Sequence, residues 1–183
     1  MPFATWWRGD PFPKLSPLLP FSACLSTDKH VIAQLAHLSD QEINTRIQSG
    51  NYPYIAFMDE TPVAYGWTAT HEGRIAELQF SFPIQTKNCY LWDFMTLPEW
   101  RGRGIYPRLL QAIIQQEQSV DRFWIGYEPG NEASMRGITK AGFHVESDLV
   151  ISEGRVSGLA LFNASAYAQA SAHFFHLPIV PGE

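Results

Sequence analysis

The sequence lacks any long apolar run: its longest hydrophobic stretches are each broken by a proline or a charge, so no segment is expected to span a membrane. Charge is sparse, at 17% of residues, and there is no basic surplus, the formal net charge being −5. That balance argues against a broad surface gripping nucleic acid by counterion release. Cysteine is nearly absent. Cys24 and Cys89 stand far apart with no CxxC spacing, which excludes a disulfide framework and points to free thiols in a reducing, cytoplasmic setting. No GKS or GKT follows the glycine-rich stretch, so a P-loop is excluded. With two glycines and no suitably placed acid, a dinucleotide fingerprint is a poor match. The first residues, "MPFATWWRGDPFPKLSPLLPF", lack the basic start and continuous apolar core of a secretory signal.

What is present is enough for one domain with a sizeable core: 183 residues, 45% hydrophobic, 14% aromatic, six of them Trp. Residues 1–20 carry five prolines and two adjacent Trp and read as an extended segment packed on a single domain of residues 21–183. "FSACLS" reads as a short strand. Thr27 or Asp28 can cap a helix through "KHVIAQLAHL", and Ser39 with Glu42 has capping-box spacing for a second helix that Gly50 ends. "YPYIAFMD" and "PVAYGWTATHE" form a hairpin, and "GRIAELQFSFPI" a third antiparallel strand. "CYLWDFMTL" is apolar on both faces, a central strand, with Leu91, Asp93, Met95 and Leu97 on one face and Trp92 and Phe94 on the other. Strand "RFWIGYE", an Asn131-capped helix, a closing hairpin and a C-terminal helix follow. The fold class is α+β, with a mixed but largely antiparallel sheet flanked by helices.

The junction "LWDFMTLPEWRGRGIYPRLLQAII" (91–114) joins that central strand to an amphipathic helix. A helix start presents N–H groups without internal partners and the positive end of the helix dipole. Gly102 and Gly104 let a ligand approach the backbone, and Arg101 and Arg103 add charge. The four make either an anion cradle or a plain turn with two solvated arginines.

Here the chain resembles the GCN5-related N-acetyltransferases. Arg101-Gly102-Arg103-Gly104-Ile105, preceded by "LPEW", is similar to that family's [R/Q]-x-x-G-x-[G/A] loop, and "NEASMRGITKAGF" (131–143) to its Asn-led second signature. The resemblance covers about residues 21–162. It implies a sheet of six to seven strands splayed between the fourth and fifth, and acetyl-CoA as co-substrate with no metal. By the same resemblance the diphosphate lies on Arg101 to Ile105 with Tyr106 beside it. The pantetheine arm would pair with Met95, Thr96 and Leu97, and Asn131 and Ser134 would contact the cofactor. Two departures stand out: Tyr106 replaces the loop's last small residue, and Ile138 stands where the family often has a Tyr that protonates the departing thiolate.

The implied reaction is attack by a primary amine of a small molecule (an amine, amino sugar or amino acid) in a ternary complex. The oxyanion is expected on a backbone N–H near Met95. Asp93 is the first choice of base, on the expectation that burial between apolar neighbours raises its pKa; a purely structural buried acid is the alternative. Glu77 and Glu128 stand behind it. Tyr127 can replace the missing acid or simply pack. Trp6, Trp7, Tyr52, Tyr54 and Trp67 line an acceptor pocket or belong to the core. "HFFH" (173–176) offers too few ligands for a metal. A catalytically silent acyl-CoA sensor and a protein-interaction module using the N-terminal Trp/Pro segment are the competing functions. An edge hairpin or the last helix offers a surface for a homodimer.

Overall fold

The structure, a computed structural model, describes residues 1–181. Ten strands and five α-helices follow in the order β1 (Pro2–Trp7), β2 (Phe21–Leu25), α1 (Lys29–Ala36), α2 (Asp40–Gln48), β3 (Asn51–Met58), β4 (Thr61–Ala69), β5 (Glu72–Ile75), β6 (Phe80–Pro83), β7 (Asn88–Thr96), α3 (Ile105–Gln116), β8 (Arg122–Gly126), α4 (Glu132–Ala141), β9 (His144–Ser152), β10 (Arg155–Leu161) and α5 (Ala166–Phe175). Eight strands form one sheet in the order β10-β9-β1-β8-β7-β4-β3-β2. Among the described strands, β7 and β8 alone pair in parallel with each other, and an isolated parallel bridge joins Leu159 to Ile179. The expected α+β class holds, with a larger sheet than the six to seven strands anticipated.

The extra strand comes from the N-terminus. Residues 2–7 do not lie on the domain's outside, as the proline-rich composition of residues 1–20 suggested; β1 is inserted between β8 and β9, antiparallel to both. Pro2 sits at its first position, where a missing N–H is tolerated, and Phe3, Ala4 and Trp6 are buried hydrophobics. From Arg8 onward the segment crosses α3. The Arg8 guanidinium donates to the carbonyls of Ile114 (3.3 Å), Glu117 (2.8 Å) and Val120 (2.7 Å), which satisfies the orphan acceptors where that helix ends. Phe12 stacks on Trp6 with ring centroids 4.9 Å apart.

Local signals fix the helices. Asp28 caps α1 through the N–H groups of His30 and Val31, and the Ser39–Glu42 capping box of α2 is complete. Ile105, Leu109, Leu110, Ile113 and Ile114 turn α3's apolar stripe into the core, each at most 1% exposed. Burial of side chains of that size stabilises by about 2 kcal/mol each. Residues 72–83 depart from expectation. They are not a third strand of the main sheet but a separate hairpin, β5 with β6, broken by a 3-10 turn at Ala76–Leu78. Helices α3 and α4 cover one face of the sheet. On the other face α1 and α2 pack at one end, while α5 and the β5–β6 hairpin pack at the other.

Candidate active site

Strands β7 and β8 stay paired only from Asn88↔Arg122 to Leu91↔Ile125. Beyond Leu91, β7 continues to Thr96 with β4 on one side and an open edge on the other. A cleft of about 1140 Å³ opens there. It runs from Arg74 and Glu77 on the hairpin, past Asp93 and Phe94, to Gly102 and Gly104 at the start of α3.

At Asp93 the β7 ladder contains a bulge. Tyr65 pairs with Met95 and Trp67 with Trp92, so Asp93 and Phe94 together face Gly66. Asp93 takes a left-handed φ of 50°, which a short polar residue tolerates better than a branched one. Phe94 fills the space above Gly66, where a Cβ would stand 2.0 Å from its ring. The extra residue resets the strand's alternation. Leu91 and Phe94 therefore share the α3/α4 face, and Trp92, Met95 and Leu97 the α1/α2 face. The sequence pattern, read without a bulge, had grouped them differently.

Asp93 is not buried among apolar neighbours. Its side chain is 32% exposed and paired with Arg46 of α2 at 2.5 Å. That guanidinium lies over Trp67 (4.8 Å to the ring centroid) and Trp92 (4.6 Å). Tyr65 donates its hydroxyl to Asp93 Oδ1 at 3.4 Å. Burial, and then the Asp93 charge, push the Tyr65 phenol up to about 12. The clamp is anchored from behind. Trp92 Nε1 donates to Asn51 Oδ1 (3.1 Å), and Asn51 Nδ2 donates to the Arg46 carbonyl (3.1 Å). No sequence signal pairs residues 46 and 93, which lie on different elements.

The open edge also differs from expectation. Leu97 N–H donates to Val63 O at 2.9 Å, so it is not free for a ligand. In an antiparallel ladder every second residue faces the same neighbour, which turns the Met95 N–H toward Tyr65 as well. Phe94 and Thr96 then face the open side. The Thr96 carbonyl does so visibly, because it accepts Arg101 Nε at 3.0 Å. Arg103 lies over the Trp100 ring, 4.7 Å from its centroid. Gly102 and Gly104 both have positive φ (75° and 72°), and nothing lies within 4 Å of where a Gly102 Cβ would be. No side chain caps α3. Arg108 of α3 donates instead to the Gly104 carbonyl (2.6 Å) and, further out, to that of Ser16. The first-turn N–H groups of the loop thus remain available to an anion, as a cradle requires.

Tyr106 points away from that cradle. Its ring meets Phe94 (centroids 5.5 Å apart) and fills the room left by Gly137, while its hydroxyl stands 3.5 Å from Ser134 Oγ. Asn131 caps α4, its Oδ1 accepting Ser134 N–H at 3.0 Å. Ile138 is wholly buried in the core. Tyr127 stands on the cleft wall just past β8, its N–H donating to Pro2 O at 3.1 Å; burial, then Asp148, raises its phenol. Glu77 and Glu128 also line the cleft and are exposed. Of the aromatics considered for an acceptor pocket, Trp6, Tyr54 and Trp67 belong to the core. Cys89 is fully buried, and its thiol is shifted upward by that burial. Among the described residues no three His, Cys, Asp or Glu side chains gather as a metal site, and no helix is long and apolar enough to cross a membrane.

A parallel strand pair thus splays over an uncapped, glycine-led helix start, leaving an open strand edge beside it. The profile of the Acetyltransferase (GNAT) family matches residues 19–143, and the chain belongs to that family. No curated protein sequence matches it. Solved structures share the fold at low identity. One is aminoglycoside acetyltransferase AAC(6')-Iy with a CoA-containing bisubstrate analogue (15% identity, 73% of this chain and 97% of that one, TM-score 0.54). Another is AAC(6')-Ih from Acinetobacter baumannii (18%, 73% and 97%, TM-score 0.51). A third is AAC(6')-Ib with coenzyme A (17%, 74% and 90%, TM-score 0.54). The co-substrate of the family is an acyl-CoA, and the loop fits its diphosphate through the amides from Gly102 to Ile105, two positive-φ glycines and the flanking Arg101 and Arg103, whereas the Arg101 N–H is already given to Pro98 O at 3.2 Å.

Proposed function

We propose that this protein transfers an acetyl group from acetyl-CoA to a primary amine of a small molecule, within the cytoplasm. The observation that carries the reading is the uncapped start of α3 set at the end of a β7 edge that β8 has left open. Bound acetyl-CoA supplies an activated acetyl carbon and a thiolate leaving group. The chain's residues do the rest. The amides from Gly102 to Ile105 hold the diphosphate, with Arg101 contributing only its side chain, since its N–H is bonded to Pro98 O. The open edge at Phe94 and Thr96 takes the pantetheine arm, and Phe94 N–H replaces Met95 N–H as the main-chain donor facing the reacting oxygen. Asn131 and Ser134 border the same arm on α4.

Asp93, fixed by Arg46 and Tyr65, offers its exposed oxygens to the acceptor's ammonium and takes or relays its proton; Glu77 and Glu128 are the other carboxylates within the cleft. Two features favour a catalytically silent acyl-CoA sensor as the second reading: Ile138 carries no proton, and Asp93 already has a cationic partner. The interaction-module reading loses its main support, because Trp6 and Phe12 are packed against each other in the fold.

Calorimetry with acetyl-CoA, before and after Arg101→Ala and Arg103→Ala, tests the cradle: binding weakens in each variant. Thiol release over a panel of amines tests transfer, and tight acetyl-CoA binding without turnover selects the sensor. An Asp93→Asn variant with the parent's rate at saturating amine and the parent's pH profile removes Asp93 as base.

A further inference from the structure

We propose that Tyr106, carried on α3, is the proton donor to the departing CoA sulfur; the proposal rests on the acetyl-transfer reading above. A thiolate leaves an acetyl carbon faster when a fixed donor meets the developing charge. The bulge, α3 and α4 converge at one place in the cleft, and a phenol stands there. The Tyr106 ring lies against Phe94, one of the two bulge residues, and its hydroxyl lies 3.5 Å from Ser134 Oγ in the first turn of α4. Gly137 makes this possible, since a Cβ there would fall 2.4 Å from the Tyr106 ring. The neighbouring Ile138 is sealed in the core and has nothing to donate. A large residue on α3 and a missing side chain on α4 thus bring a hydroxyl to a helix face that has no acid of its own.

The competing phenol, Tyr127, lies past the end of β8, with its N–H tied to Pro2 O and its phenol raised by burial and then by Asp148. Burial pushes the Tyr106 phenol up to about 12, so it carries its proton at neutral pH. The step balances as follows. The uncharged amine nitrogen bonds to the acetyl carbon, the C–S bond breaks with its electron pair going to sulfur, and Tyr106 Oη gives its proton to that sulfur. The phenolate regains a proton from solvent through the Ser134 hydroxyl. The proton shed by the acylated nitrogen goes to the carboxylate base or to water.

Tyr106→Phe keeps the ring and its contacts with Phe94 and Gly137, and an unchanged melting temperature checks that the fold is kept. The first readout is binding: calorimetric Kd values for CoA and for desulfo-CoA, which lacks the sulfur. Measured at about pH 9, where the CoA thiol is largely thiolate, the parent prefers CoA by roughly 10-fold, as expected for one hydrogen bond to a charged atom, and Tyr106→Phe brings the ratio close to one. The second readout is turnover, where kcat falls by at least about 10-fold while the acetyl-CoA KM stays within about twofold. The same CoA preference in both proteins overturns the proposal. So does a kcat loss that follows Tyr127→Phe and not Tyr106→Phe. A parent that turns over no amine overturns the acetyl-transfer reading together with this one, whereas an active parent with an unaltered ratio overturns this one alone.

Discussion

Gly66 shows how much a single residue controls at this site. It is the residue opposite the bulge, and the Phe94 ring occupies the place its side chain would take, 2.0 Å from a built Cβ. Gly66→Ala must therefore displace Phe94 and with it the N–H that faces the open edge. Overpacking of this kind costs about 1–3 kcal/mol, and a misplaced main-chain donor costs on the order of 100-fold in rate. Urea denaturation and kcat measured on the same variant check both, and wild-type values for the two would show that the bulge does not depend on the glycine. The buried phenols make a second residue-scale prediction. Tyr65 and Tyr106 ionise near 12 in the folded chain and near 10 when unfolded. The unfolded chain thus gives up protons that the folded one keeps, so stability intact below about pH 10 is lost as pH rises toward 12. Urea midpoints measured across that range fall steeply, and Tyr106→Phe makes the fall shallower.

At the scale of elements, α3 is the piece on which the site depends. Its start carries no side-chain cap, and its end is closed by Arg8 from another part of the chain. Charge-assisted hydrogen bonds of this type contribute about 1.5–3 kcal/mol. Arg8→Ala should lower stability by about 2 kcal/mol, read as a shift of the urea midpoint with an unchanged slope, and leave CoA affinity nearly unaltered because the loss lies at the far end of the helix. The helices themselves were legible in the sequence, because capping residues and a 3.6-residue apolar period are local signals: Asp28, Ser39 with Glu42, and Asn131 all act where their spacing placed them. The hairpin at residues 72–83 was not. Its composition suits any strand, and whether it joins the main sheet depends on partners remote in sequence.

For the whole molecule, the decisive feature is the insertion of β1 between β8 and β9. It joins β9 and β10 to the body of the sheet and closes the side of the cleft that carries Tyr127, whose N–H donates to Pro2 O. Amide hydrogen exchange tests this placement. The amides of β1 should exchange as slowly as those of β8, whereas a segment merely resting on the surface would exchange within the time of exposed loops.

The helices, the strands from β7 onward, the glycine-led junction at Arg101–Ile105 and the Asn131 cap could be read from sequence alone, since each depends on residues within one turn or one loop of each other. The location of residues 2–7, the ion pair of Asp93 with Arg46, the turning of the Met95 amide toward β4 and the meeting of Tyr106 with Ser134 were decided only by the tertiary structure. Each of those joins elements far apart in the chain. One extra residue in a strand also inverts every side chain and amide beyond it, and composition does not register such a change of phase.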